Sequence, residues 1–278
     1  MKTALVLQGG GVRGAYTSGV LDQMMIENIT FDALYGVSAG AKNSQYFISH
    51  QIGEALKVDL FCISNKKAIS FHNLIFEGGI ISADYYNNYI MKEYAPLNDE
   101  FYKSTTKFYV GATNIITGEM KYFEKSSSDV RKAVTASCSI PLVQKIAKID
   151  NNLYLDGGIA EAVPISDALN NYDKIVVVLT RPFGYREKEN PKLNLAFKLK
   201  YKKYPLLLDL LLTQTERFNK QMDEIDELEK EGKIVVIRPS KQFSMGILEK
   251  DEKKIIDLYE MGKQDLIDKL ELVKNITK

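Results

Sequence analysis

Apolar residues in this chain gather into short runs closed by glycine, alternating with stretches of three-to-four-residue spacing. The run TALVLQ (Thr3 to Gln8) is bounded by glycines and predicts a buried strand. After GGGVRG, Tyr16, Val20, Leu21, Met24 and Met25 recur at helical spacing. FDALYG predicts a second strand, and AGAKNSQYFISH resumes a helical pattern. Strand, tight glycine turn and helix thus occur twice before Gln51, which predicts an α/β fold with a mainly parallel central sheet, helices on both faces and three layers. Further strands are expected at Lys107 to Asn114, MKYFE, KIAKI and NLYL. KIVVVLT (Lys174 to Thr180) and KIVVIRP (Lys233 to Pro239) are continuous β-branched runs suited to strands covered on both faces. Helices are expected over Asp129 to Ser137, Pro205 to Glu231 and Asp251 to Val273. With no internal repeat and no low-complexity linker, a single domain over residues 1–278 is expected. Its chemical motifs fall in about residues 3–170, and the C-terminal part completes the sheet and adds helices.

Composition narrows the function classes. Hydrophobic residues make up 45% and charged residues 26%, a globular balance. The net charge of +1 gives no reason to expect nucleic acid as a partner. Cys62 and Cys138 are too few for a disulfide framework or a zinc site, so a reducing compartment is expected. The N-terminal apolar run is too short for a signal-peptide core, and no window reaches the ~20 apolar residues of a membrane span. A cytoplasmic protein is expected. No motif speaks to oligomeric state.

Gly9 to Gly14 satisfies G-x-G-x-x-G between a strand and a helix, the setting of a dinucleotide-binding turn. Asp32 lies at roughly the spacing of a ribose-binding acid, yet it precedes its strand, whereas that acid belongs at the strand's carboxyl end. A dinucleotide- or anion-binding module is therefore the weaker alternative. The same loop can serve an ester hydrolase, because backbone N–H groups fixed in a glycine turn stabilise an oxyanion, each typically worth about 3 kcal/mol of barrier. Both βα turns of a parallel sheet open at one edge, so this loop can face the turn after the second strand.

That second turn is Gly36-Val37-Ser38-Ala39-Gly40, a G-x-S-x-G elbow in strand–turn–helix context. Gly36 and Gly40 leave room for the tight turn. A helix-capping serine in a glycine-rich corner reads equally well from the pentapeptide alone. A nucleophilic serine needs a base, and the usual order Ser, acid, His fails here because the histidines are His50 and His72. The rise from Ser38 to His50 along a helix is about 18 Å, out of reach. His72, in SFHNLIFEGG, suits a loop or structural role at least as well as catalysis. An acid must then serve. In LYLDGGIAEAVPI an apolar strand runs into Asp156, followed by Gly157 and Gly158, a setting that also suits a plain Asp-Gly turn.

Together, the GGGVRG loop, the GVSAG elbow and the later DGG resemble the patatin-like phospholipases. The stretch ASCSIPLVQ (Ala136 to Gln144) resembles that family's helix-to-proline segment, and the likeness covers roughly Leu5 to Ile165. The resemblance implies a dyad with Ser38 as nucleophile and Asp156 as general base. It places Gly9, Gly10, Gly11, Val12, Arg13 and Gly14 along the oxyanion loop, and Gly36, Gly40, Gly157 and Gly158 beside the dyad. It implies hydrolysis of lipid acyl esters, of phospholipase or lysophospholipase type, with no metal and no organic cofactor. A patatin-like scaffold without turnover is the remaining alternative. After DGG the family often carries asparagines before its proline, whereas this chain has Glu161 and Ala162 before Pro164, and an added carboxylate near a cleft would disfavour anionic substrates. Because a free aspartate is a weak base with a pKa near 3.9, the dyad requires desolvation of Asp156. Arg13 either offsets charge at the loop or packs at the helix entrance.

Leu195 to Gln214 couples lysines and aromatics to a leucine run interrupted by Pro205. It reads as an interfacial element for peripheral membrane contact, as a cleft lid, or as a buried helix entered through proline. The following TERFNKQMDEIDELEKEG reads as a charged, solvated helix face with no function of its own.

Overall fold

The chain folds around one eight-stranded sheet in a computed structural model that describes residues 1–70, 73, 79–82, 85–94, 96–246 and 249–277. The strands are β1 (Thr3–Leu7), β2 (Ala33–Val37), β3 (Lys107–Asn114), β4 (Met120–Glu124), β5 (Ala147–Ile149), β6 (Asn152–Asp156), β7 (Lys174–Val178) and β8 (Ile234–Ile237). Each apolar run expected to be a strand is one. β8, β7, β1, β2 and β3 pair parallel in that order, while β4 and β6 pair antiparallel with β3, and β5 with β6.

Registers on β3 decide where the strand ends meet. β2 pairs with residues 107–111 of β3 and β4 with residues 109–113, so these two occupy opposite edges. β6 pairs with residues 112–114, which overlap β4, and therefore takes the same edge as β2. Val37 stands opposite Gly111 and Asp156 opposite Ala112, adjacent positions on one edge. β2 and β6 run towards each other and meet at their carboxyl ends.

Because β-strand side chains alternate, the buried strands feed two cores. Leu5, Leu7, Leu34, Val176 and Val178 face one helical layer, formed by α1 (Gly14–Ile26), α2 (Ala39–Ile48), α3 (Glu54–Ser64) and α4 (Val130–Ser137) together with a C-terminal helix described below. Ala4, Val6, Tyr35, Val177 and Val236 face the other, which includes α5 (Ser166–Asn171). The sequence reading assigned neither α3 nor α5. α6 (Pro191–Lys200) and α7 (Pro205–Leu212) form a hairpin over Leu155, Ile115 and Ile159. α7 begins at its proline, where the missing N–H costs nothing.

Two long helices expected from periodicity are each broken. Pro205 to Glu231 divides at Thr213 into α7 and α8 (Gln214–Lys230), with Thr213 at φ −95° and ψ 1°. Asp251 to Val273 divides at Lys269 into α9 (Glu252–Asp268) and α10 (Leu270–Thr277). That break lets Lys269 Nζ donate to Val236 O, 2.6 Å away on β8. At Lys269 a tertiary partner outweighs continuous periodicity.

α9 lies against α1 and is fixed by two reciprocal hydrogen bonds. Tyr16 Oη donates to Asp265 at 2.9 Å, and Tyr259 Oη donates to Asp22 at 2.7 Å. Burial raises the pKa of Asp22, against the pull of Tyr259 and of Gly53 N–H. Removing the phenol leaves a desolvated acceptor short of a partner, which costs about 1–3 kcal/mol. Tyr259→Phe is expected to lower unfolding free energy by that amount in urea titration. A loss below about 0.5 kcal/mol would show the clasp to be dispensable.

Candidate active site

Ser38 sits where β2 gives way to α2. Its backbone adopts φ 53° and ψ −126°, a conformation that a non-glycine residue holds only when its surroundings impose it. Those surroundings are specific. Ser38 N–H donates to Ser137 Oγ at 2.8 Å, and Ser137 Oγ donates to Gly111 O at 2.6 Å. Ser137, at the end of α4, thus pins the strained turn to β3. The serine is 5% exposed.

Asp156 enters from β6. Its N–H donates to Ser139 O at 2.9 Å, its carbonyl accepts from Thr113 Oγ1 at 2.8 Å, and its carboxylate accepts from Gly158 N–H at 2.8 Å. Gly157 has no room for a side chain, since a Cβ there would stand 2.2 Å from Gly111 O. Burial pushes the Asp156 carboxyl up to about 6. Ser38 and Gly158 N–H favour the ionised form and oppose that rise, but burial prevails.

The glycine loop closes over this pair from the end of β1. A Cβ on Gly9 would stand 3.0 Å from Ser38 Cβ. Gly10 lies against Thr180, Gly14 against Ala39, Gly40 against the carbonyls of Leu7 and Gln8, and Gly36 against the backbone of Ala41. Arg13 N–H donates to Gly10 O and Gly14 N–H to Gly11 O, so both are consumed within the first turns. Among the described residues, no backbone hydrogen bond takes up the N–H groups of Gly10, Gly11 or Val12. The donors left for an oxyanion are therefore narrower than the whole loop.

A cavity of about 150 Å³ opens beside Ser38, Gly11 and Val12. Its far wall is apolar, with Val58, Ile63, Ile69, Ile90, Val134 and Ile140, and an ion pair of Lys42 with Asp59 stands along it. Cys62 and Cys138 also line it, and burial pushes each thiol up to about 12, which keeps both protonated and un-nucleophilic.

The family model described as patatin-like phospholipase matches residues 5–169. The chain belongs to the patatin-like phospholipase family. It is thereby a member of a lipid-hydrolase family, and the match coincides with the stretch from Leu5 to Ile165 picked out by motif. A second model, a domain of unknown function (DUF6363), matches residues 204–278, the part that contributes β8 and α9. The uncharacterized protein YjjU of Escherichia coli (strain K12) is 30% identical over 184 residues, covering 64% of this chain and 51% of that protein. The probable lipid hydrolase 463L of Invertebrate iridescent virus 6 is 25% identical over 191 residues, covering 61% of this chain and 64% of that protein. The chain thus spans between about half and two thirds of these relatives' length. The crystal structure of VipD from Legionella pneumophila aligns at TM-score 0.49 and 11% identity, over 99% of this chain and 67% of that one.

Several sequence expectations resolve against this patatin-like site. Asp32 lies at the opposite edge of the sheet, accepting from Thr3 N–H at 2.7 Å, far from any ligand on the glycine loop. His50 is exposed beyond α2, and His72 lies outside the described residues. Glu161 does not confront substrate: its carboxylate accepts from Ser166 N–H at 2.9 Å, Ile165 N–H at 3.1 Å and Tyr122 Oη at 3.2 Å. The helix read as a plain solvated face supplies Arg217, whose guanidinium donates to Ile159 O at 2.6 Å and Ala160 O at 2.9 Å and so braces the turn after Asp156. Ser137 lies in the ASCSIPLVQ stretch that the resemblance already picked out, although nothing in that stretch marked its bond to Ser38, and Arg217 carries no motif.

The raised Asp156 pKa has a consequence for stability. The folded value of about 6 exceeds the unfolded one, so the native carboxyl keeps its proton while the unfolded chain has lost it. A penalty develops as pH rises from about 4 to about 6 and is full above that, up to about 3 kcal/mol. Asp156→Asn is expected to raise Tm at pH 7–8, with the gain vanishing near pH 4. An unchanged Tm across that range would mean that the carboxylate is not desolvated.

Proposed function

We propose that this chain is a serine acyl-ester hydrolase of lipid substrates, of phospholipase A or lysophospholipase type, working through Ser38 and Asp156. The observation that carries the reading is the meeting of a strained serine and a desolvated carboxylate on one edge of β3, beneath backbone donors with no backbone acceptor among the described residues. In the proposed cycle Asp156 accepts the Ser38 proton as Oγ attacks the ester carbonyl. N–H groups among Gly10, Gly11 and Val12 stabilise the oxyanion. The alcohol departs with the proton from Asp156, leaving an acyl group on Ser38. Asp156 then takes a proton from the water that attacks the acyl-enzyme and returns it to Ser38 Oγ as the acid is released. The acyl chain occupies the apolar cavity. Residues of this chain supply every step, without metal or organic cofactor.

Intact-mass spectrometry after treatment with a fluorophosphonate provides the direct test. A single adduct on wild type and none on Ser38→Ala is expected, and a folded wild type that stays unlabelled would remove the serine-hydrolase reading. Because the base must be ionised, kcat/KM should rise with pH to a plateau, half-maximal near 6. Asp156→Asn should lose that step along with at least about 10²-fold in kcat.

The α6–α7 hairpin supports peripheral contact with a lipid surface. Phe197, Tyr201, Leu207 and Leu211 are buried on its inner side, whereas Leu195, Leu199 and Leu206 are 59%, 72% and 52% exposed. Lys192, Lys198, Lys200, Lys202 and Lys203 accompany them. Exposed leucines with lysines suit insertion at an anionic interface, and no helix among the described residues is long and apolar enough to cross a membrane. Replacing Leu195 and Leu199 with serine should weaken sedimentation with phosphatidylglycerol vesicles by about tenfold. Equal binding by wild type and variant would assign the exposed leucines no such role.

A further inference from the structure

Two arginines lie at the end of the sheet where β1 and β7 finish, near enough for their charges to repel, and neither has an ion-pair partner among the described residues. Arg13, at the entrance to α1, is 9% exposed, and its Nε is buried with no hydrogen bond. Arg181, just past β7, is half-buried, and its Nε is likewise unpartnered. Burial, reinforced by repulsion from Arg181, draws the Arg13 pKa down to about 10. Glu187 attracts Arg13 through space but forms no ion pair or hydrogen bond with it among the described residues. Arg13 does not line the cavity beside Ser38, although its loop neighbours Gly11 and Val12 do.

Both guanidiniums are carried on rigid supports. Thr180 donates through Oγ1 to Gly9 O at 3.0 Å and through N–H to Gln8 Oε1 at 2.7 Å, locking the end of β7 to the glycine loop. The Arg181 guanidinium stacks 4.2 Å over the Tyr185 ring, which in turn meets Phe218 edge-on. The loop is tied to α8 where Arg186 Nε donates to Asp223 at 3.1 Å and Glu187 N–H to Asn219 Oδ1 at 2.7 Å. A buried cation without a partner is costly, and two of the same sign in one place cost more. What relieves such a pair is an oxyanion that accepts from both, and planar guanidiniums match phosphate oxygens in a bidentate way.

We propose that Arg13 and Arg181 form a receptor for a phosphate-type oxyanion, supplied either by the phosphodiester of a lipid head group or by free phosphate. Arg13 follows directly on the loop that carries the free N–H groups, so an anion held here ties that loop to the segment after β7. Phosphate binding stands independently of hydrolysis; only the head-group source rests on the hydrolase reading.

Thermal unfolding in inorganic phosphate, against sodium chloride of matched ionic strength, tests the receptor. At about ten times Kd, wild type should gain about 2–3 °C, and Arg181→Met should lose most of that gain. Glu187→Gln removes a nearby carboxylate and should bind phosphate more tightly. Kinetics then separate the two sources. If the lipid phosphodiester is the ligand, Arg181→Met lowers the ratio of kcat/KM for a phospholipid to that for a neutral ester by at least about tenfold. If free phosphate is the ligand, that ratio stays level while the thermal shift is lost. An equal phosphate response in wild type and Arg181→Met, or weaker phosphate binding in Glu187→Gln, would overturn the proposal; the latter would make Glu187 part of the cradle rather than a competitor.

Discussion

The arrangement rests on one shared strand edge. β3 is longer than the part of it that β2 covers, and β6 fills the remainder from the opposite direction. Backbone hydrogen bonding therefore delivers the carboxyl ends of two distant strands to adjacent positions, with a serine emerging from one and an aspartate from the other. Gly157 permits the junction because its neighbour across it is the carbonyl of Gly111. Thr113 and Ser137, on β3 and α4, bind the backbone on either side of that junction. Ser38 and Asp156 are held by the ladder itself, which fixes their relative placement.

The energetic character of the site follows from that placement. An aspartate at a sheet junction is cut off from water, and its carboxyl becomes a better base at the expense of native stability. The positive φ of Ser38 is a second cost, met by the Ser137 hydrogen bond and by the packing of α2 behind it. On the other side of β1, Arg13 and Arg181 form a third unrelieved element. Strain, a desolvated acid and unpaired cations gather at one end of the sheet, where strand ends and helix starts leave backbone groups free.

The C-terminal third is structurally continuous with the rest. β8 extends the sheet beyond β7, and α9 is clasped to α1 through paired tyrosines and aspartates. α8 reaches back to the site through Arg217, whose guanidinium holds carbonyls of the turn after Asp156. A segment with no chemical motif thus steadies the one that carries them.

The strands were legible in the sequence because buried β-runs such as KIVVVLT are both continuous and closed by glycine or polar residues, and that signal is local. The glycine loop, the GVSAG elbow and the DGG turn were legible for the same reason: each needs its glycines within a few bonds of the residue they serve. Helix breaks at Thr213 and Lys269 were not, since periodicity continues through both, and at Lys269 it yields to a partner on β8. The sequence likewise could not say which strand edge β6 would take, that Glu161 would be spent on the turn before α5, or that Arg217 and Ser137 would brace the site. Those outcomes depend on registers and contacts between residues far apart in the chain. By itself, then, the sequence determined the elements and the chemical groups available. Tertiary structure decided which groups meet, because proximity across β3 is set by hydrogen-bond register rather than by spacing along the chain.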